Sequence, residues 1–111
     1  MASPAYLGEF EQLLLLAVLR LGDEAFGADI ARELEDRAGR SVSRGHLYTS
    51  LDRLERKGLL RWALAAGTEL RDGLPRRLYT VTPAGLAALR AARDVLRRMS
   101  RGVAPLLKEP S

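Results

Sequence analysis

The sequence predicts a mainly α-helical protein with one β-hairpin, and three observations support this prediction. Four segments place apolar residues at helical spacing, and two shorter segments between the third and fourth of them have the composition of strands. Serine, threonine, proline and glycine stand where helices begin and end. With 111 residues, of which 47% are apolar, the chain is predicted to form one domain with one modest core.

The first predicted helix runs from about Gly8 to Leu21 and is apolar on two opposite sides. One side is expected to pack on the core of the domain, and it carries Phe10, Leu14, Ala17, Val18 and Leu21. The opposite side carries Leu15, Leu16 and Leu19. A helix that is apolar all round is buried all round, so the second side is expected to need a partner subunit as its cover.

The second predicted helix covers roughly residues 26–37. Phe26, Ile30 and Leu34 form a stripe with a spacing of four residues, which indicates one buried face. The other face is charged and is typical of a helix surface in contact with water.

The third predicted helix lies within SVSRGHLYTSLDRLERKGLL, residues 41–60. Ser43 is expected to cap its start and Gly58 to take the left-handed conformation after its end. Its buried stripe is Leu47, Leu51 and Leu54. At 100° per residue, the outward face carries Gly45, Thr49, Asp52 and Arg56, flanked by His46 and Arg53 on one edge and by Arg44 and Tyr48 on the other.

The period changes after Gly58, where residues 59–66 and 77–82 are predicted to form a hairpin with a long basic tip. Thr82 is then expected to cap a fourth helix that has Pro83 in its first position and runs to about Arg101. Residues 105–111 are predicted to be a frayed tail.

The order helix, helix, helix, hairpin, helix predicts a winged helix-turn-helix: a mainly α fold with a two-stranded β-wing plus a C-terminal dimerisation helix. Residues 1–82 would form the DNA-binding part and residues 83–104 the dimerisation helix of the same compact unit. In this fold the third helix enters the major groove of DNA, which is wide enough for a helix. The outward face of that helix is therefore expected to meet base edges and phosphates, through Ser43, Arg44, Gly45, His46, Tyr48, Thr49, Arg53 and Arg56.

The charge distribution agrees with a nucleic-acid partner. The formal net charge is +4, and eight arginines lie between residues 71 and 101 against two aspartates. Arg71, Arg76 and Arg77 lie in or beside the wing loop, where they are expected to bind phosphates or the minor groove. A well-solvated arginine-rich loop is the alternative for these three residues. For Tyr48 the alternative is a half-buried packing role.

The fourth helix repeats apolar residues at a and d positions over two heptads, namely at Leu89, Ala92, Leu96, Met99 and Val103. We expect a homodimer interface formed by Leu15, Leu16 and Leu19 of one subunit with Leu89, Leu96, Met99 and Val103 of the other. Two-fold symmetry would then present two groove helices to a palindromic site. The alternative is a fourth helix that packs only on its own domain.

Several function classes are disfavoured by composition. With one histidine and no cysteine, the sequence predicts no metal site, no cofactor and no catalytic set. The longest apolar run has seven residues, too few to span a bilayer, and no signal peptide is predicted, so we expect a cytoplasmic protein.

Three fragments in this order resemble the PadR family of bacterial transcriptional regulators: LGEFEQLLLLAVLRLGDEAFGADI, SVSRGHLYTSLDRLERKGLL and RRLYTVTPAGLAAL. The short fourth helix resembles that of the compact members of the family. The resemblance implies a homodimeric repressor that binds operator DNA, with Ser43, Gly45, Tyr48 and Thr49 on the DNA-facing part of the recognition helix.

Some members of this family bind small aromatic or multidrug effectors at the dimer centre. Here the fourth helix has no aromatic residue and the single tryptophan is Trp62 on the first wing strand, so an aromatic sandwich built from the fourth helix is excluded. The alternative function is a winged-helix module that binds protein or RNA and no operator.

Overall fold

The computed structural model describes residues 6–65 and 76–108 and shows six main elements. They are helices α1 (Glu9–Leu21), α2 (Gly27–Ala38) and α3 (Arg44–Arg56), strands β1 (Leu60–Leu64) and β2 (Arg77–Val81), and helix α4 (Pro83–Ser100). Two short 3-10 helices, Gly22–Glu24 and Ala104–Leu107, follow α1 and α4. The predicted mainly α fold with a two-stranded sheet is confirmed.

The helix ends form where the cap residues place them. The Ser43 hydroxyl accepts a hydrogen bond from the His46 amide at 3.2 Å, which satisfies one free N–H of the first turn of α3. Thr82 does the same for the Gly85 amide at 3.0 Å, with Pro83 in the first turn of α4. Gly58 has φ 77°, so the chain leaves α3 through a left-handed residue.

Besides strands β1 and β2, one further residue pairs with the sheet, which the sequence analysis did not predict. β1 and β2 are antiparallel, with Trp62 opposite Tyr79. In addition, Phe26 forms an isolated bridge with Leu78, and the Tyr79 amide donates to the Ala25 carbonyl at 3.0 Å. The residues before α2 therefore join the wing to the helix-turn-helix.

The core contains both adjacent leucines of α1, Leu14 and Leu15, each with no exposed surface. The expectation that Leu15 faces a partner is wrong, because α1 is in contact with α2, α3, α4 and β2. These neighbours enclose a wider arc of the helix than the single core-facing side expected from the sequence. Only Leu16 and Leu19 remain exposed on the outer side, at 45% and 44%.

The start of α4 is locked to the turn between α3 and β1. The Thr82 hydroxyl donates to the Gly58 carbonyl at 2.7 Å, and the Thr82 amide donates to the Leu59 carbonyl at 3.2 Å. Gly85 is buried where α4 crosses this turn, and a Cβ atom there would lie 2.2 Å from the Leu59 carbonyl oxygen. Only glycine allows so close an approach of the two backbones.

The segment after α4 is more ordered than predicted. Residues 104–107, which overlap the predicted frayed tail, form a 3-10 helix in which Leu106 and Leu107 are 81% and 69% exposed. Residues 109–111 lie outside the described part. Within residues 6–65 and 76–108, no helix has both the length and the hydropathy required to cross a membrane.

Candidate nucleic-acid interface

The outward face of α3 is open, as its periodicity predicts. Gly45, Thr49, Arg53 and Arg56 are exposed, while Leu47, Ser50, Leu51 and Leu54 are buried on the opposite face. The space around Gly45 is empty, so no described side chain covers the backbone at the start of this face. The surface formed by Gly45, Thr49, Arg53 and Arg56 is called the groove face below.

The side chains of His46 and Ser43 both make contacts within the protein. The His46 ring stacks on Phe10 of α1, with ring centroids 4.8 Å apart and planes 21° from parallel. The Ser43 hydroxyl caps α3, and the Arg44 guanidinium lies 5.8 Å from the centre of the Tyr48 ring. One ring face of His46 therefore serves packing between α1 and α3.

Tyr48 takes the packing role that the sequence analysis left open. The side chain is half-buried, and its hydroxyl lies against Gly27 at the start of α2. A Cβ atom at Gly27 would lie 2.1 Å from this hydroxyl oxygen. The Gly27–Tyr48 contact thus allows the first turn of α2 to approach α3, which helps to set the angle between the two helices.

Arg76 and Arg77, the two predicted wing arginines that the structure describes, each contact an aromatic ring and a carboxylate of the same subunit. Arg76 lies 3.9 Å from the Phe26 ring centre and 3.6 Å from the Asp29 carboxylate on α2. Arg77 lies 4.1 Å from the Trp62 ring centre and 3.7 Å from Asp52 on α3. The third predicted wing arginine, Arg71, lies outside the described residues.

Asp52 is the one carboxylate that periodicity places on the outward side of α3. The structure pairs its carboxylate with Arg77 of the wing and not with Arg56, which lies four residues later on the same helix. Sequence spacing favours the Arg56 pairing because residues four apart are neighbours on a helix. The Arg77 pairing depends on the tertiary position of β2, which local spacing does not reveal.

Tyr79 brings a buried hydroxyl close to this pair. The residue is 1% exposed, and its hydroxyl has no hydrogen-bond partner among the described residues. Burial raises the pKa of Tyr79 above its ordinary value. Arg77 opposes this rise, whereas Tyr48 and Asp52 add to it.

Glu11 ties α1 to the C-terminal end of α3. Its carboxylate accepts hydrogen bonds from Lys57 Nζ at 2.7 Å and from the Gly8 amide at 3.1 Å. Burial acts to raise the pKa of Glu11, but these two bonds and the positive charges of Lys57 and Arg53 outweigh it, so the pKa lies below its ordinary value. The first turn of α1 thereby supports the helix that carries the groove face.

Glu11→Gln should destabilise the fold by about 1 kcal/mol at neutral pH, because it removes a charge-assisted bond to Lys57. A carboxyl whose pKa is lowered on folding adds stability above its unfolded pKa, and this stability is lost as the pH falls through the lowered folded value. The difference between wild type and variant should therefore shrink below about pH 4 in urea unfolding series.

Glu55→Gln is the matched control for this prediction, since Glu55 is an exposed residue of α3 that forms no ion pair within the described chain. It should leave stability nearly unchanged at every pH. A Glu11→Gln effect that is the same at pH 3 and pH 7 would contradict the electrostatic origin of this support.

Among the described residues, no three His, Asp or Glu side chains are grouped so that they could hold a metal ion.

Comparison with known proteins identifies the family. Residues 15–91 match the sequence profile of the transcriptional regulator PadR-like family. The transcriptional regulator Rv3488 of Mycobacterium tuberculosis is 43% identical over 81 residues, which cover 73% of this chain and 71% of the relative.

Solved structures of PadR-type regulators have a similar fold. A PadR family regulator from Eggerthella lenta is 30% identical with a TM-score of 0.64, over 92% of this chain and 88% of its own. A PadR-like regulator from Bacillus cereus is 25% identical with a TM-score of 0.69, over 91% of this chain and 93% of its own. Given this match in sequence and fold, the chain belongs to the PadR-like family of DNA-binding transcriptional regulators and is not an enzyme.

Proposed function

We propose that this protein is a homodimeric repressor that binds a palindromic operator through α3 and the wing. The observation that carries the proposal is the open groove face. A glycine and a threonine stand near the start of α3, and two arginines stand farther along on the same side.

The groove face fits the chemistry of the major groove. Gly45 permits close approach of the backbone, and the Thr49 side chain can contact a thymine methyl group or donate to a base acceptor. Arg53 and Arg56 are suited to guanine or to phosphate oxygens. The Phe10–His46 stack and the Glu11–Lys57 bond hold the two ends of α3, so this face is presented by a fixed helix.

The dimer is supported by a strip of exposed apolar residues on α4. Leu96 and Met99 are 60% and 74% exposed, and Val103, beyond the end of the helix, is 41% exposed. Leu89 packs partly on the core of its own subunit, so the proposed partner surface is centred on the three later residues. A second copy would cover this strip with Leu16 and Leu19 of its α1.

A groove of about 190 Å³ beside β2 is lined by Val18, Leu19, Gly22, Asp23 and residues 78–81. Through Leu19 it adjoins the exposed side of α1.

The test is selection of duplexes from a random library with purified protein. The expected product is a palindrome whose half-sites are about one helical turn, roughly 10 base pairs, apart. In vitro transcription from a promoter carrying that site should fall as protein is added. A protein that selects no duplex, or that binds RNA or another protein instead, would support the alternative of an interaction module.

Thr49→Ala and Arg53→Ala should each weaken binding to the selected operator by about 1–3 kcal/mol, since each removes a side chain expected at base edges. Fluorescence anisotropy with operator and random duplexes would measure this. Arg90→Ala, which removes an exposed arginine from α4, is the control for loss of charge. Equal losses on operator and random DNA would mean that Thr49 and Arg53 contact only phosphate.

A further inference from the structure

Asp52 lies beside the groove face, where a carboxylate opposes the approach of phosphates. Its nearest described cation is Arg77 of the wing, with Oδ1 and Nη1 3.7 Å apart. The two side chains are 47% and 42% exposed, so both remain accessible to a DNA backbone. The pair therefore stands at the junction of the two elements expected to bind DNA.

Arg77 is oriented by two groups at once. Besides Asp52, the Trp62 ring centre lies 4.1 Å from its guanidinium carbon. The Tyr79 hydroxyl is buried nearby and donates no hydrogen bond to Asp52. Arg77 is thus the group within the described chain that compensates the Asp52 charge.

We propose that Asp52 competes with DNA phosphates for Arg77 and so lowers the affinity of the protein for non-specific DNA. Asp52 is then a specificity-determining residue, an inference that rests on the proposed use of α3 and the wing in DNA binding.

The physical basis is the origin of non-specific affinity, which comes mainly from the neutralisation of phosphates by cations. To bind a phosphate, Arg77 must leave Asp52, whose charge is then uncompensated next to the polyanion. On random DNA nothing offsets this cost. At the operator, Asp52 can instead accept a hydrogen bond from the amino group of a cytosine in the major groove.

Asp52→Ala tests the proposal through titrations of operator and random duplexes at several salt concentrations. The affinity for random duplex should rise about three- to fivefold, and the slope of log affinity against log salt should steepen by about one unit. The affinity for operator should stay the same or fall, so that the ratio of the two affinities decreases. Asp52→Asn provides a second variant of similar shape in case the alanine variant does not fold.

Asp36→Ala is the matched control. Asp36 is an exposed residue of α2 that forms no ion pair in the described structure, and its loss changes net charge by the same amount. Equal effects of Asp36→Ala and Asp52→Ala on random DNA would overturn the proposal, because the gain would then reflect net charge alone.

A double-mutant cycle with Arg77→Gln identifies the route of the effect. In the Arg77→Gln background, removal of Asp52 should raise the affinity for random duplex clearly less than it does in the wild-type background. An equal gain in both backgrounds would mean that Asp52 acts only by repelling phosphate directly, which also overturns the proposal. Wild-type protein that bound no duplex at all would instead reject the proposed function, and the two failures are therefore distinguishable.

The single tryptophan gives an independent readout. Because Arg77 covers the Trp62 ring, adding random duplex to wild-type protein should change its fluorescence as the guanidinium moves to a phosphate. The Arg77→Gln protein should not show this change. An identical change in both proteins would contradict the transfer of Arg77.

Discussion

Leu96→Asp should convert the protein to a monomer and abolish operator binding. Leu96 is 60% exposed in the single chain, so a carboxylate is tolerated by the fold of one subunit. In the proposed dimer, however, it would be buried without a partner in an apolar interface, at a cost of several kcal/mol. The two-fold axis places this cost at two equivalent sites. Sedimentation velocity would measure the loss of the dimer.

Arg98→Gln is the matched control, because it changes the net charge by the same amount on the opposite side of α4. It should remain dimeric. A Leu96→Asp protein that stays a folded dimer and still binds its operator would place Leu96 on the outer surface and contradict the proposed interface.

Gly85→Ala should destabilise the fold, because the added methyl group has no room where α4 crosses the α3–β1 turn. The added Cβ would lie 2.2 Å from the Leu59 carbonyl oxygen and 2.7 Å from Val81 Cγ1, and the first of these is backbone that cannot rotate away. Overpacking of this kind costs about 1–3 kcal/mol or more, against a gain of about 1 kcal/mol in helix propensity. We expect a melting temperature lower by roughly 10 °C in calorimetry.

Gly45→Ala is the natural comparison, since its Cβ would enter empty space in a helix. It should leave the melting temperature unchanged or raise it. If Gly85→Ala were equally harmless, α4 would have to shift freely relative to the α3–β1 turn, contrary to the hydrogen bonds of Thr82.

The elements of this fold were predictable because their signals are local. Ser43 and Thr82 mark the starts of two helices, because their hydroxyl groups accept hydrogen bonds from amides only three residues away. Gly58 marks the end of α3, because its backbone is in the left-handed conformation. The outward face of α3 follows from the same 100° periodicity. Each of these signals can be read within one helical turn.

The features that the sequence did not reveal depend on contacts between distant residues. Leu15 is buried because four other elements surround α1, and the spacing of apolar residues along one helix does not reveal those neighbours. The Phe26–Leu78 bridge joins residues that are 52 positions apart. The pairing of Arg76 and Arg77 with Asp29 and Asp52 depends on where β2 lies against the helices.

Helix α1 contacts α3 at its first turn and also carries the exposed leucines of the proposed dimer interface. Phe10 and Glu11 in its first turn hold His46 and Lys57 at the two ends of α3, while Leu16 and Leu19 on the same helix face outward. The thirteen residues of α1 form a rigid helix about 20 Å long. A tilt imposed on its outer side by a partner subunit therefore also moves Phe10 and Glu11, the residues that contact α3. In the proposed dimer, subunit association and DNA binding are therefore thermodynamically linked. By the reciprocity of linked equilibria, operator DNA should tighten the dimer by the same factor by which dimerisation tightens operator binding.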